Sequence, residues 1–265
     1  MPFPESKRII YEKNPLDRVI FQLRFPTILK IEESIPVLFQ DSIKNEYPEF
    51  LIKDELTMPV PFLGKKEESG DEIKNISPSH IKNYEFSTED KIWKINLTRT
   101  FLALTCTNYT RRSDFNNRLK LPLKLLLDIY KPSYFSRIGL RYIDIIIRSS
   151  LRLSKVPWNK LLKPYILGFL GSDIVNKKIK SFQNQCEILL NDRRSIARIV
   201  TSLVESEKND ELCLMIDTDF YNSHKIEASE TKVMKKLDYF QVRGSRLIQW
   251  IITPKLHKAM KPVRI

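Results

Sequence analysis

Two stretches of the chain carry the same short pattern. Residues 18–25 read RVIFQLRF and residues 137–144 read RIGLRYID, and their Leu-Arg-aromatic triplets lie 117 residues apart. Two further pairs follow each other in the same order at a spacing of 110 residues, namely 102–104 with 212–214 and 127–130 with 237–240. Ordered matches at nearly constant spacing predict an internal duplication, which constrains the fold more than any single motif does.

Hydrophobic periodicity gives both halves the same order of elements. In the first strand Val19, Phe21 and Leu23 alternate with polar neighbours, which is typical of a strand with one buried face. For the first half the patterns predict a strand over 17–25, a helix over 32–46, a strand and a long loop within 49–79, strands near 80–88, 91–99 and 101–108, and a helix that ends near Tyr130, with Pro122 in its first turn or at a kink. For the second half they predict a strand over 136–148, short helical pieces over 155–169 broken by Pro164 and Gly168, strands near 180–190, 195–205 and 210–219, a helix over 227–241, and a closing helix or strand.

This order predicts an α+β fold of two pseudo-repeats, 1–131 and 132–265, packed as one unit. Each repeat reads strand, helix, antiparallel strands, helix. Antiparallel sheets commonly cover one face with helices and leave the other face wet. We therefore expect a curved antiparallel sheet with helices on one face, and this element order resembles the saddle of the TATA-binding-protein-like class.

The charge of the chain favours an anionic partner but leaves a second explanation open. Lysine and arginine number 45 against 32 acidic residues, so the formal net charge is +13. A strongly basic chain is typical of proteins that bind polyanions. Lysine, isoleucine and asparagine are all abundant, however, which is also typical of an AT-rich genome. The basic residues are spread out, with local groups at 111–112, 177–180, 193–194 and 255–264.

Several classes of protein are disfavoured by what the sequence lacks. The six glycines form neither GxGxxG nor GxxxxGK[ST], so a Rossmann or P-loop nucleotide domain is not expected. The three cysteines are far apart and form no CxxC pair, which indicates reduced thiols in a cytoplasmic protein. An apolar run of 18 residues is absent, so we expect no membrane segment. No motif for a cofactor is found either, so we expect none.

The strand around residue 140 is the leading candidate for a binding site. Because strand side chains alternate between faces, Arg137 and Arg141 share one face while Leu140 lies on the other. The duplication makes Arg24 the equivalent of Arg141, and Lys94 is expected on a neighbouring strand of the same face. Arginine and amide groups bind phosphates and carboxylates. The alternative is a solvated face, or one whose charges pair with each other.

A basic rim is a second candidate for anion binding. Arg193 and Arg194 lie between two predicted strands, where a hairpin tip would expose both. The aromatic residues Tyr109 and Tyr134 are candidates for stacking on bases, whereas Tyr142 and Trp158 are expected in the core.

Asp217 and Asp219 are the candidates for metal binding. Two carboxylates at i and i+2 of a strand face one side and suit a hard cation, with Asp144 as a third group. The alternative is that they pair with an arginine such as Arg141. His80, His224 and His257 are widely separated and form no catalytic motif.

Three segments carry a family resemblance: RIGLRYIDIII at 137–147, LCLMIDTDFYN at 212–222, and LIQWIITPKLHKAM at 247–260. With these the chain resembles a sporadically distributed family of prokaryotic proteins of about this length. Such a distribution implies mobile genes, as in defence or toxin–antitoxin loci. We therefore expect a non-enzymatic protein that binds nucleic acid or a cognate protein. The alternative is a metal-dependent phosphodiesterase or nuclease built on Asp217 and Asp219.

Overall fold

The computed structural model describes residues 2–56, 80–206 and 211–264, so the loop predicted within 49–79 lies outside the described residues. The strands are β1 Ile9–Tyr11, β2 Leu16–Arg24, β3 Glu49–Leu56, β4 His80–Ser87, β5 Trp93–Leu97, β6 Phe101–Cys106, β7 Tyr134–Phe135, β8 Arg137–Ile146, β9 Gln183–Leu189, β10 Ser195–Glu205, β11 Leu212–Asn222, β12 Ile226–Glu227 and β13 Pro262–Arg264. The α-helices are α1 Leu29–Glu33, α2 Val37–Ile43, α3 Arg112–Leu125, α4 Pro164–Leu167, α5 Glu230–Ile251 and α6 Pro254–Ala259. A π-helical turn over Leu126–Tyr130 continues α3, and 3₁₀ turns lie at Trp158–Lys160, Gly168–Gly171 and Asn176–Lys178.

Nine strands form one antiparallel sheet in the order β3-β4-β5-β6-β2-β8-β11-β10-β9. The protein is therefore a mixed α+β structure with a large antiparallel sheet, as the sequence predicts. Strands β2 and β8, the first strand that each half adds to this sheet, form the central pair. In the first half β6, β5, β4 and β3 follow outward from β2. In the second half β11, β10 and β9 follow outward from β8.

Alternation along the two central strands separates an apolar face from a polar one. Val19, Phe21 and Leu23 of β2 are fully buried, as are Ile138 and Leu140 of β8. These side chains enter a core that extends across the sheet and under the helices. Burying such side chains contributes about 1.5–3 kcal/mol each, so this face fixes the register of the central pair.

Helices α3 and α5 cover the apolar face. Phe115 of α3 packs on Trp93 of β5 with ring centroids 5.7 Å apart. On α5, Val233, Leu237 and Phe240 recur at helical spacing and are fully buried. This i, i+4, i+7 stripe is what an amphipathic helix presents to a sheet.

Helix α5 is longer than the sequence predicts. The periodic pattern indicates an end near residue 241, but the helix continues to Ile251. Gly244, a residue that usually weakens or ends helices, lies inside it. A Cβ at this glycine would lie 2.6 Å from Cε2 of Tyr142 on β8. Gly244 therefore permits a close approach of helix to sheet.

Prolines account for two further differences. The single helix predicted over 32–46 is two short helices, with Pro36 at the N-cap of α2. Pro122 lies well inside α3, so the prediction of a first-turn position is wrong. Pro164 begins α4, as its fixed φ favours, and the short helical pieces are separated at Pro164 and Gly168 as predicted. The closing segment forms α6 and then β13, which pairs with β1.

Asp144 points into the helix side of the sheet. It lies on the same face of β8 as Leu140, and only 8% of the residue is exposed. Among the described residues none donates a hydrogen bond to its carboxyl group, and burial raises its pKa from 3.8 to about 7. Asp144 is thus on the opposite face from Asp217 and Asp219, so it is not the third ligand of a metal site with them.

This buried carboxyl group predicts a pH-dependent stability. The folded protein keeps the proton up to about pH 7, whereas the unfolded chain releases it near pH 3.8. The stabilisation is therefore complete below about pH 4 and is lost as the pH rises through 7, at up to about 1.4 kcal/mol per pH unit. We expect Asp144→Asn to match the unmodified protein in denaturant melts at pH 4 and to be more stable at pH 8. The same difference at both pH values would contradict the buried, unpartnered state of Asp144.

Candidate functional site

The sheet face turned away from α3 and α5 is here termed the open face. Its side chains stay accessible on most strands and are mostly polar. One row across the sheet is formed by Glu187, Arg198, Asp219, Arg141, Ile20, Thr105, Lys94 and Ser87. A second row is formed by Ile196, Tyr221, Gly139, Gln22, Ala103, Asn96 and Glu85. Predicted site residues Arg24, Arg137, Arg141 and Lys94 all lie on this face.

The centre of the open face is a hydrogen-bonded cluster around Gln22. Its Oε1 accepts from Nε of Arg24 at 3.1 Å and from Nη1 of Arg137 at 3.2 Å. The Nη2 of Arg137 donates to Oδ2 of Asp219 at 2.6 Å. Burial raises the pKa of Asp219 above its ordinary value, although Arg137 opposes this shift. Arg137 is thus held in place by one neutral and one acidic partner.

A glycine makes room for the Arg137 side chain. A Cβ at Gly139 would lie 2.4 Å from Nη1 of Arg137, so the guanidinium group lies across the backbone of its own strand. The guanidinium carbon is also 5.0 Å from the ring centroid of Tyr221, within the range of a cation–π contact. Glycine at 139 therefore positions an arginine, and no positive φ is involved.

Arg141 and Lys94 are neutralised by carboxylates. Asp217 receives two hydrogen bonds from Arg141, from Nε at 2.7 Å and from Nη2 at 2.6 Å, and the hydrogen-bonded Asp217 raises the pKa of Arg141. Lys94 is 3.0 Å from Glu85, which also binds Lys53 at 2.9 Å. Burial acts to raise the pKa of Glu85, but the hydrogen bonds from the two lysines outweigh burial and leave it low. For these residues the internally paired alternative describes the structure.

Arg24 is different, because no ion pair of the described residues includes it. Burial, and secondly the like charge of Arg137, lowers the pKa of Arg24, with Asp219 opposing the shift. An arginine still remains charged at neutral pH. It stands directly opposite Arg137 on one side and Phe101 on the other. Arg24 is thus an exposed cation at the end of the central strand β2, and no described carboxylate pairs with it.

Arg193 and Arg194 form the tip of the β9–β10 hairpin. Asp192 holds the turn by accepting hydrogen bonds from the backbone N–H groups of Arg194 and Ser195 and from Nζ of Lys236, and its pKa is strongly lowered because these hydrogen bonds outweigh burial. Both arginines are exposed and have no ion pair among the described residues. The tip lies at the same strand ends as Arg24, since Ser195, Asn222 and Ile138 are successive partners there.

The described residues contain no group of three or more histidine, cysteine, aspartate or glutamate side chains that suits a metal ion. Asp217 and Asp219 share the open face, but each is bound by an arginine. Nδ1 of His257 lies 2.9 Å from the Tyr11 hydroxyl, far in sequence from His224. The side chain of His80 lies outside the described residues. The arrangement favours the structural interpretation of both aspartates.

The aromatic residues of the open face are not the ones that the sequence singles out. Phe101 and Tyr221 are half-buried on this face beside Arg24 and Arg137. Tyr142 and Trp158 pack in or against the core, as predicted, and Tyr109 also packs against it. The signal for Phe101 is alternation: Leu102 and Leu104 face the core, so Phe101 must face away from Leu102.

Comparison with known proteins found no family model and no curated protein that matches this chain. Among the described helices none has the length and apolar character that a membrane crossing requires. The assignment of a role therefore depends on the geometry of the open face.

The paired aspartates generate a test of the metal alternative. Replacing Asp217 by Asn removes the charge that holds Arg141, so we expect the unfolding free energy to fall by about 1 kcal/mol. Thermal melts of the protein and the variant should be unchanged by Mg²⁺, Mn²⁺ or a chelator. A rise of several degrees in the melting temperature with Mg²⁺, lost in the Asn variant, would instead establish a metal site.

Proposed function

We propose that this protein is a non-enzymatic binding protein that holds single-stranded nucleic acid on the open face of its sheet. Arg24 carries the proposal, because it is an exposed cation at the end of the central strand β2 and has no carboxylate partner among the described residues. A guanidinium group in this state gains a charge-assisted hydrogen bond when a phosphate arrives, and it breaks no internal ion pair to do so. Arg141 and Lys94 lack that property, since each would have to leave a carboxylate.

Aromatic side chains beside Arg24 favour a single strand over a duplex. Phe101 stands next to Arg24, and Tyr221 lies against the Arg137 guanidinium group at 5.0 Å. Proteins that bind single strands combine cations along the backbone with aromatic rings on which bases stack, and each stack contributes about 1–3 kcal/mol. Unstacked bases are required for this contact, and a duplex does not present them.

The exposed hairpin tip extends the basic surface. Arg193 and Arg194 lie at the same strand ends as Arg24, so a strand that crosses the centre of the open face toward β9 would pass close to them. The hydrogen bonds of Asp192 hold the tip in one conformation. Binding of a nucleic-acid strand to this tip therefore loses less conformational entropy than binding to a flexible loop. The proposed role of Arg193 and Arg194 is to contact the phosphate backbone without reading sequence.

We further propose that the two halves are pseudo-repeats arranged as a saddle of the TATA-binding-protein-like kind. A spacing of 117 residues relates Gln22 to Gly139, and these two residues face each other in the central pair. That is the geometry of a local two-fold axis between β2 and β8. The same relation takes Arg24 to Arg141.

The strand registers support the same relation over a wider region. Leu102 lies opposite Leu23, and Phe220 lies opposite Leu140, so the equivalent of Leu102 in this register is Phe220, 118 residues later. The proposed relation therefore uses a spacing of 118 residues for this strand, where the sequence suggests 110. Helices α3 and α5 also begin 118 residues apart, at Arg112 and Glu230.

The setting proposed for this activity is the cytoplasm of a prokaryote, in a mobile defence or toxin–antitoxin locus. The resemblance carried by residues 137–147, 212–222 and 247–260 supports this setting. An enzymatic role is not favoured, because Asp217 and Asp219 are occupied by arginines.

Binding of a labelled oligonucleotide tests the proposed function. Fluorescence anisotropy with a single-stranded 20-mer should show an affinity that falls steeply with salt, with a slope of about −0.7 per phosphate contact. Arg24→Gln should weaken binding and make the slope shallower by about 0.7. Phe101→Leu should weaken binding with the slope unchanged, because stacking releases no counterions.

Two controls separate the open face from charge in general. Lys124→Gln removes one exposed charge from α3, on the covered side, and should leave affinity unchanged. The double change of Arg193 and Arg194 to Gln should lower the slope if the hairpin tip takes part. Affinity no tighter than about 10⁻⁴–10⁻⁶ M at ~150 mM salt, equal in all variants, would reject nucleic acid and leave a cognate protein as the partner.

A further inference from the structure

A cavity of about 660 Å³ lies on the covered side of the sheet. It is open to solvent on one side and is lined by α5, by β8 and β11, by the N-terminal segment 6–16 and by residues 109–113 at the start of α3. This volume is within the range of sites for small molecules and cofactors, about 300–1,000 Å³. The cavity shares no wall residue with the centre of the open face, so it is a separate feature.

The wall of the cavity that the sheet provides contains Asp144. This carboxyl group is more than nine-tenths buried, and no described residue donates a hydrogen bond to it. Thr218 and Tyr142 lie beside it on the same wall. A buried carboxyl group without a partner costs free energy in the empty protein. A ligand that brings N–H donors to this position would remove that cost.

Apolar and aromatic groups are among the residues that line the cavity. Ile216 and Phe220 of β11 contribute one wall, and Ile248 of α5 contributes another. Tyr109 and Tyr142, which also line it, meet edge to face with ring centroids 6.4 Å apart. These groups offer flat, apolar surfaces of the kind that accept a planar ring.

The remaining walls carry arginines. Arg8 and Arg111 are exposed and form no ion pair among the described residues. Arg112, in contrast, is held by Asp238 and by the side chain of Gln241. Two guanidinium groups without carboxylates at the edge of an apolar cavity are suited to an anionic group, and a phosphate matches their planar donor pattern.

We infer that this cavity binds a purine nucleoside monophosphate, with the amino-substituted edge of the base at Asp144 and the phosphate at Arg8 and Arg111. Guanine presents two adjacent N–H groups, which match the two oxygens of one carboxylate. A fatty acid would leave Asp144 without a donor. A simple α-amino acid would leave most of the apolar wall uncovered. The nucleoside monophosphate satisfies the carboxyl group, the apolar middle and the arginines together.

This site is independent of the proposed binding of nucleic acid on the open face. Its residues lie on the opposite side of the sheet and include neither Arg24 nor Phe101. Loss of oligonucleotide binding in Arg24→Gln with nucleotide binding retained would be expected if both inferences hold. Failure of either one leaves the other unaffected.

Isothermal titration of the full chain with guanosine 5′-monophosphate at pH 8 tests the inference, with adenosine 5′-monophosphate as the second probe. We expect saturable binding of at least one nucleotide at one site per chain. Asp144→Asn should weaken it by about tenfold or more, because one oxygen that accepts an N–H is replaced by a donor. That variant is expected to stay folded, since it removes a buried charge.

Arg111→Gln provides a second variant, at an exposed position where folding is not at risk. It should lower the affinity for the nucleotide severalfold. The affinity for guanosine or adenosine, which lack the phosphate, should be unchanged. Arg24→Gln is the matched control and should bind the nucleotide like the unmodified protein. The inference would be overturned if neither nucleotide binds. It would also be overturned if the Asp144 and Arg111 variants bind the nucleotide as tightly as the unmodified protein does.

Discussion

The antiparallel pairing of β2 with β8 is the constraint on which both faces of the sheet depend. A shift of one residue would turn every side chain of one strand to the other face. The buried residues Phe21 and Leu140 oppose such a shift, since they would enter water while arginines entered the core. The same register places Arg24 directly opposite Arg137. Like charges opposite each other are unfavourable. The register that buries the apolar side chains therefore brings two arginines together on the open face, at an electrostatic cost.

On the open face a carboxylate offsets this cost for Arg137 but not for Arg24. Arg137 is bound by Asp219, and the Gln22 oxygen lies between the two arginines and accepts from both. Gly139 leaves the space in which the Arg137 side chain lies. Among the described residues no carboxylate pairs with Arg24, although one aspartate would be enough to neutralise it. A protein under selection for stability alone gains by supplying one, so the arrangement is consistent with an external anion as the missing partner.

Alternation and composition predict much of this structure because they are local. The strands over 17–25, 101–108 and 136–148 lie within a few residues of their predicted bounds. The predicted helix over 227–241 is too short. A glycine favours a helix end there locally, but Gly244 is required for the close contact with Tyr142, about 100 residues away in the chain. Pairing partners are also nonlocal. That Arg141 meets Asp217 follows from the register of β8 with β11, which no short motif contains.

The net charge of the chain does not show which basic residues are paired with carboxylates. The net charge of +13 is the same whether the basic residues are paired or free. Of the six basic residues that the sequence singles out, Arg137, Arg141 and Lys94 are each neutralised by a carboxylate within 3.0 Å. The other three, Arg24 and the two arginines of the hairpin tip, form no ion pair among the described residues. Arg24 and the hairpin tip lie at the same end of the sheet. Genome bias explains an excess of lysine along the chain, but it does not decide which basic residues are paired, because pairing follows from the strand register.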